Sequence, residues 1–139
     1  MPAVVSDSSP FVYLARIQRF GLLRTLFDQI LVPEAVWEEV AVASASNPED
    51  LEIARAATAG WLKVERPSGD LTLHDQQLRG LGVGEREAIL LALEKRALLI
   101  IDETEGRKAA TRLAVHTTGT LGVLIQLFER ALRTVGEPV

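Results

Sequence analysis

The run Leu98-Leu99-Ile100-Ile101 is apolar at four consecutive positions and stops abruptly at Asp102-Glu103. A strand with one wet face alternates apolar and polar residues, whereas an unbroken apolar run suits a central parallel strand covered on both faces. Parallel strands need long crossovers, usually helices. This run therefore predicts an α/β chain, and the other segments agree. Ala3-Val4-Val5 is a second short apolar run, ending at Ser6-Asp7. Gln29-Ile30-Leu31-Val32 reads as a strand stopped by Pro33, Trp61-Leu62-Lys63-Val64 as another, and residues 114–117 as a short last one.

Helical patterns fill the gaps. Ser9-Pro10 reads as a cap followed by proline in a first turn, with a second short helix over residues 21–27. Residues 33–43 resume a helical pattern. Asn47-Pro48-Glu49-Asp50 opens a helix running to about Gly60. Residues 66–83 are the least regular stretch. Gly84 opens a helix over residues 85–95, and two more cover residues 105–113 and 121–132, the last capped by Thr118 or Thr120. The expected fold is α/β, a three-layer α/β/α sandwich around a mostly parallel sheet of four to five strands. Length and pattern indicate one domain over residues 1–139, with a tail fraying from residue 133.

Composition narrows the function classes. Hydrophobic residues make up 47% of the 139, which argues against disorder. No apolar run approaches the roughly 18 residues that span a bilayer, and residues 1–5 lack the basic start of a signal peptide. Cysteine is absent, so disulfides and thiolate metal sites are excluded and a reducing cytoplasm is the expected compartment. The net charge of −4 disfavours nucleic-acid binding through a broad basic face, but a cation bound to an acidic cluster would offset part of it.

The acids carry the chemistry. In open α/β sheets, sites lie beyond the carboxyl ends of strands, and the two best strands end at Asp7 and at Asp102-Glu103. One such acid alone usually caps the next helix; two on neighbouring strands suggest a site. A third comes from Gly84-Glu85-Arg86-Glu87-Ala88-Ile89. Helical phase puts Glu85 with Ala88, Ile89 and Ala92 on the buried face and Glu87 about two residues round. Glu85 is the preferred inward acid and Glu87 its substitute. A fourth lies in Val36-Trp37-Glu38-Glu39-Val40, where Glu39 sits beside the buried stripe and is preferred over Glu38. Like charges this close repel unless a multivalent cation holds them. An all-oxygen set, with only His74 and His116 in unrelated segments, selects Mg²⁺ or Mn²⁺ over zinc. Such ions suit phosphodiester hydrolysis.

Together, Val5-Ser6-Asp7-Ser8-Ser9-Pro10, Val32-Pro33-Glu34-Ala35-Val36-Trp37-Glu38-Glu39-Val40, Gly84-Glu85-Arg86-Glu87-Ala88-Ile89, Ile101-Asp102-Glu103 and Thr118-Gly119-Thr120-Leu121-Gly122-Val123-Leu124 resemble the PIN-like prokaryotic proteins related to VapC-type toxins. The resemblance spans Val4 to about Arg130. It implies a parallel sheet between helices and a Mg²⁺- or Mn²⁺-dependent endoribonuclease. The acids would be Asp7, Glu39, Glu85 or Glu87, and Asp102 or Glu103, with Ser6 or Ser9 positioning water or ligand. Many such toxins have Asp at the third site, where this chain has Glu. Arg107, Lys108 and Arg112 follow the second acid and could hold RNA phosphate, although a solvated helix face fits them equally. The implied partners are RNA, an antitoxin protein and a second copy, the last through residues 10–27 and 33–43; no membrane is implied. The competing reading is a catalytically weak or inactive PIN-like module that binds RNA or a protein. A receiver-type phosphotransfer domain ranks last, because no strand here ends in Lys.

Overall fold

The computed structural model describes residues 3–44, 51–70 and 72–136. The elements run β1 (Val4–Ser6), α1 (Ser8–Arg16), a 3₁₀ turn (Phe20–Thr25), β2 (Ile30–Pro33), α2 (Glu34–Ser44), α3 (Leu51–Ala59), β3 (Leu62–Glu65), α4 (Val83–Lys95), β4 (Leu98–Ile100), α5 (Thr104–Arg112), β5 (Thr117–Thr118) and α6 (Thr120–Gly136). The strands form one sheet in the order β3-β2-β1-β4-β5, and every pairing is parallel.

Every residue of β1 and β2 is buried. Successive side chains point to opposite faces, so helices cover both faces and the architecture is three-layered. Each buried Val, Leu or Ile contributes about 1.5–3 kcal/mol of transfer free energy. At one end of the core, Phe11 meets Phe20 edge to face at 4.6 Å, and Phe20 stacks on Trp61 at 5.5 Å. Trp61 is thus a packing residue, with the Arg24 guanidinium 5.8 Å from its ring centre.

Several boundaries differ from the sequence expectation. α1 starts at Ser8 with Asp7 at its N-cap position, rather than with Ser9 as cap, and the Asp7 side chain makes no capping bond. α4 starts at Val83, so Glu85 is its third residue. The last strand is Thr117–Thr118, not residues 114–117. Ala114 takes a left-handed φ of 62° to turn the chain out of α5, and this delays the strand; His116 precedes it. Thr120 does not cap α6 but begins it, and α6 continues to Gly136, past the expected fraying at residue 133. The helix start expected at residues 47–50 lies outside the described residues. Among the described residues, no helix is long and apolar enough to cross a membrane.

The strand order reverses between β1 and β4. β2 and β3 extend the sheet to one side of β1, and β4 and β5 to the other. At such a switch point the connections leave in opposite directions and open a crevice at the carboxyl ends of the strands.

Candidate metal centre

Asp7 and Asp102 flank this crevice. Ser6 pairs with Ile100 across the β1–β4 ladder, and the Asp7 N–H donates to the Ile100 carbonyl at 2.9 Å. Glu39 arrives from α2, which follows the adjacent strand β2. Gly84 admits it: a Cβ at Gly84 would stand 2.5 Å from Glu39 Oε1 and 3.3 Å from Val36 Cγ2. Glu85 arrives from the first turn of α4 and lies against α5, where a Cβ on Gly106 would stand 3.0 Å from Glu85 Oε2. Small residues therefore let both helices bring acids close to the sheet end.

The electrostatics show which acids share the crevice. The Asp7 carboxyl is pushed up to about 6, first by burial, against a backbone bond from Ser8, and further by Glu39, Glu103 and Asp102. The Glu85 carboxyl is raised by burial, then by Glu103, Asp7 and Glu39, against a backbone bond from Gly82. That last bond closes the first turn of α4 as a helix-capping contact. Glu85 Oε2 is buried without a hydrogen-bond partner. Such an oxygen is costly to bury unless a donor or cation meets it.

Glu38 and Glu87 face elsewhere, and both act on Arg66, which pairs with Glu34 at the surface. Helical phase thus sorts the two candidate pairs: Glu39 and Glu85 face the acids of the crevice, Glu38 and Glu87 the Arg66 side. Asp102 and Glu103 divide differently. Asp102 Oδ1 accepts the Thr120 N–H at 2.7 Å, and Oδ2 accepts the Thr120 hydroxyl at 2.6 Å. Asp102 therefore caps α6, while Glu103 is the stronger charge upon Glu85. Gly119 makes room for this cap, since its Cβ would lie 2.7 Å from Asp102 Oδ1. Sequence reasoning missed the cap because its partners are eighteen residues apart.

Of the two serines, Ser6 is buried, and its hydroxyl donates to the Asp7 carbonyl at 2.9 Å. Ser9 is exposed on α1. Arg107, Lys108 and Arg112 line a groove of about 560 Å³ together with Asp102, Thr104 and Thr111. Lys108 also pairs loosely with Glu105 at 3.6 Å. His74 lines a separate, smaller pocket of about 140 Å³ beside Leu90 and Leu93.

Among the described residues, no group of three carboxylate or imidazole side chains is placed to hold a metal ion with the side chains as they stand. The donor set nevertheless fits a hard divalent cation. It is all oxygen, it includes the unpartnered Glu85 Oε2, and it holds Asp7 and Glu85 against their mutual repulsion. Glu39 is exposed and Glu85 half-buried.

Fold and acid placement together define the class: an open, doubly wound α/β domain with carboxylates gathered at its switch point. The chain belongs to the PIN-domain family DUF3368, whose model matches residues 3–136. Solved structures that share the fold include the following two. A PilT N-terminus domain protein from the hyperthermophilic archaeon Sulfolobus solfataricus P2 is 22% identical, with a TM-score of 0.59 over 93% of this chain and 95% of that one. VapBC2 from Rickettsia felis, bound to a DNA fragment from the promoter, is 14% identical, with a TM-score of 0.59 over 86% of this chain and 98% of that one. No curated protein matches the sequence.

Proposed function

We propose that the chain is a Mg²⁺- or Mn²⁺-dependent endoribonuclease of the cytoplasm, with Asp7, Glu39, Glu85 and Asp102 as its metal-holding and catalytic carboxylates and Glu103 beside them. One observation carries this reading. At the topological switch point the Asp7 carboxyl is raised by burial and by the charges of Glu39, Glu103 and Asp102, and the Glu85 carboxyl by burial and by Glu103, Asp7 and Glu39. Acids perturbed by burial and by specific charged neighbours in a crevice are candidates for a functional site. The ion would supply activation of water and charge stabilisation at the phosphoryl group. The carboxylates hold and orient it, and the α5 groove holds the RNA backbone in register. Hydrolysis adds a water oxygen to phosphorus and breaks one P–O ester bond, and the leaving oxygen takes a proton. An antitoxin that covers the crevice is the partner this reading implies.

The test is incubation of the purified chain with mixed RNAs, with Mn²⁺ and with chelator. Cleavage that requires the ion is the expected result; intact RNA under both conditions would leave the fold without this activity. One observation favours a second reading, a PIN-like binding module that cleaves weakly or not at all: both oxygens of Asp102 are already committed to Thr120. RNA retained on the protein without being cut would select it.

The groove gives a separate prediction. Arg107, Lys108 and Arg112 carry no sequence information as phosphate-binding side chains, so each alanine variant should weaken binding about equally for all RNAs. Removing one phosphate-binding cation should reduce the slope of log K against log salt by roughly 0.7–1. Fluorescence anisotropy across a salt series measures this. An unchanged slope in Arg112→Ala and Arg107→Ala would reduce the groove to a solvated helix face.

A further inference from the structure

α5 presents two faces. Gly106, Ala109 and Ala110 are buried, whereas Thr104, Arg107, Lys108, Thr111 and Arg112 line the groove. The spacing of these five, three then one then three then one, is that of one side of a helix. α5 begins where β4 ends and runs back from the crevice, so Arg112 lies about 7.5 Å farther along its axis than Arg107. The three cations are not equivalent. Lys108 is paired with Glu105, and Arg112 sits in the last turn. Arg107 stands at the crevice end. A Cβ on Gly119 would meet Asp102 Oδ1 at 2.7 Å and Arg107 Nη1 at 3.4 Å, so carboxylate and guanidinium approach the same point between β5 and α6. Yet no ion pair or hydrogen bond joins the Arg107 side chain to an acid among the described residues. Its side chain is exposed. Five N–H donors in a planar fork thus stand uncommitted at the mouth of an acidic crevice.

We propose that Arg107 is a catalytic residue: its guanidinium binds the phosphate being cut, while Lys108 and Arg112 hold phosphates farther along the strand. This assignment rests on the nuclease reading above and divides the groove into a reacting end and a holding end. The acids of the crevice repel a phosphodiester. A cation at their rim offsets that repulsion where the reacting group must sit, provided no acid of the protein already neutralises it. With Asp102 turned to Thr120, Arg107 keeps its donors for an incoming anion. During hydrolysis, charge is carried by the non-bridging oxygens of the transferred phosphorus. A planar fork meets two such oxygens at once, which the point charge of a lysine does not. Arg107 forms and breaks no covalent bond. Water supplies the oxygen that phosphorus gains, and the leaving ester oxygen is protonated from solvent.

The loss should fall on the chemical step. Once the cut linkage of one RNA is mapped with the wild type and Mn²⁺, Arg107→Ala should cleave it about a hundredfold more slowly at saturating RNA. Arg107→Lys should recover only part of that rate. Arg112→Ala should instead lose efficiency chiefly through the RNA concentration at half-saturation. Because the Arg107 side chain is exposed, its variants should melt like the parent. A binding measurement tests the same contact without turnover. With chelator present, a neutral methylphosphonate at the mapped linkage should cost the wild type about tenfold more affinity than it costs Arg107→Ala. Placed two linkages away, it should cost both proteins alike. Equal costs at the mapped linkage, or an Arg107→Ala protein that matches the wild type at saturation, overturn the assignment and leave the nuclease reading standing. A wild type that cuts no RNA overturns both.

Discussion

Asp7→Asn should raise the melting temperature of the metal-free protein at pH 7.5 and remove most of the stabilisation that Mn²⁺ gives the parent. The folded Asp7 carboxyl sits at about 6 against an ordinary 3.8. Folding therefore favours its protonated form. This group's contribution to stability is complete below about pH 4 and is lost as pH rises through 6. That rise corresponds to about 3 kcal/mol. Asparagine never ionises and so escapes that loss, but it keeps the cost of burying an amide. A net gain of about 2 kcal/mol, or roughly 4–8 °C, is expected. Metal-free parent should thus lose stability between about pH 4 and 7, and the variant should lose less, keeping only the fall that the raised Glu85 carboxyl contributes.

Added Mn²⁺ reverses the sign. An ion binds the ionised site of the folded chain and not the dispersed acids of the unfolded one, so stability should rise by about 2.7 kcal/mol at a hundredfold excess over the dissociation constant. That increment should itself grow as pH rises through 6, because the ion requires deprotonated ligands. A simple helix-start role predicts something else. Asn caps about as well as Asp, and Asp7 makes no side-chain capping bond, so the variant would melt like the parent in both conditions. Melting curves with chelator and with millimolar Mn²⁺ decide between these. An undiminished metal response in Asp7→Asn would remove Asp7 from any ion site.

The parts of this site that are readable in sequence are those fixed by local periodicity. Unbroken apolar runs mark the central strands, and the acids that end them mark the edge of the sheet. Helical phase separates Glu85 from Glu87 and Glu39 from Glu38, because burial of Ala88, Ile89, Val36 and Val40 fixes which way each helix turns. The Asp102–Thr120 pairing is not readable: it joins the ends of two neighbouring strands, and nothing local distinguishes a carboxylate aimed at a helix start from one aimed at the crevice. An outer apolar stripe on α6 is hidden for a related reason. Leu124 and Leu127 face the core while Leu121, Ile125 and Phe128 face outward, and a helix apolar on two sides does not announce which side is covered. The late start of β5 follows from the left-handed Ala114, a conformation that alanine gives no reason to expect.

Cleavage by single-charge variants should follow helical phase. Glu39→Gln and Glu85→Gln are expected to lower the rate of Mn²⁺-dependent RNA cleavage at least a hundredfold, whereas Glu38→Gln and Glu87→Gln should stay within about twofold. Each amide keeps the shape of its carboxylate and removes one negative charge and one strong metal ligand. Loss of a single group that stabilises a transition-state charge typically costs about 10²–10³ in rate. The paired positions control for everything else. Glu38 adjoins Glu39 and Glu87 lies two residues beyond Glu85, so net charge, composition and helix propensity change identically, but Glu38 and Glu87 act on Arg66 instead of on the crevice. Asp102 needs its own control because it also caps α6. Thr120→Val removes the hydroxyl bond alone and should cost about 1 kcal/mol of stability, with cleavage largely kept. Asp102→Asn should lose stability to a similar extent and cleavage by a hundredfold or more. Should Asp102→Asn and Thr120→Val cleave equally well, Asp102 is a cap only, and the fourth ligand passes to Glu103, the strongest neighbouring charge on Glu85. Should Glu87→Gln fall as far as Glu85→Gln, the phase assignment of α4 fails, and the crevice between β1 and β4 is no longer where RNA is cut.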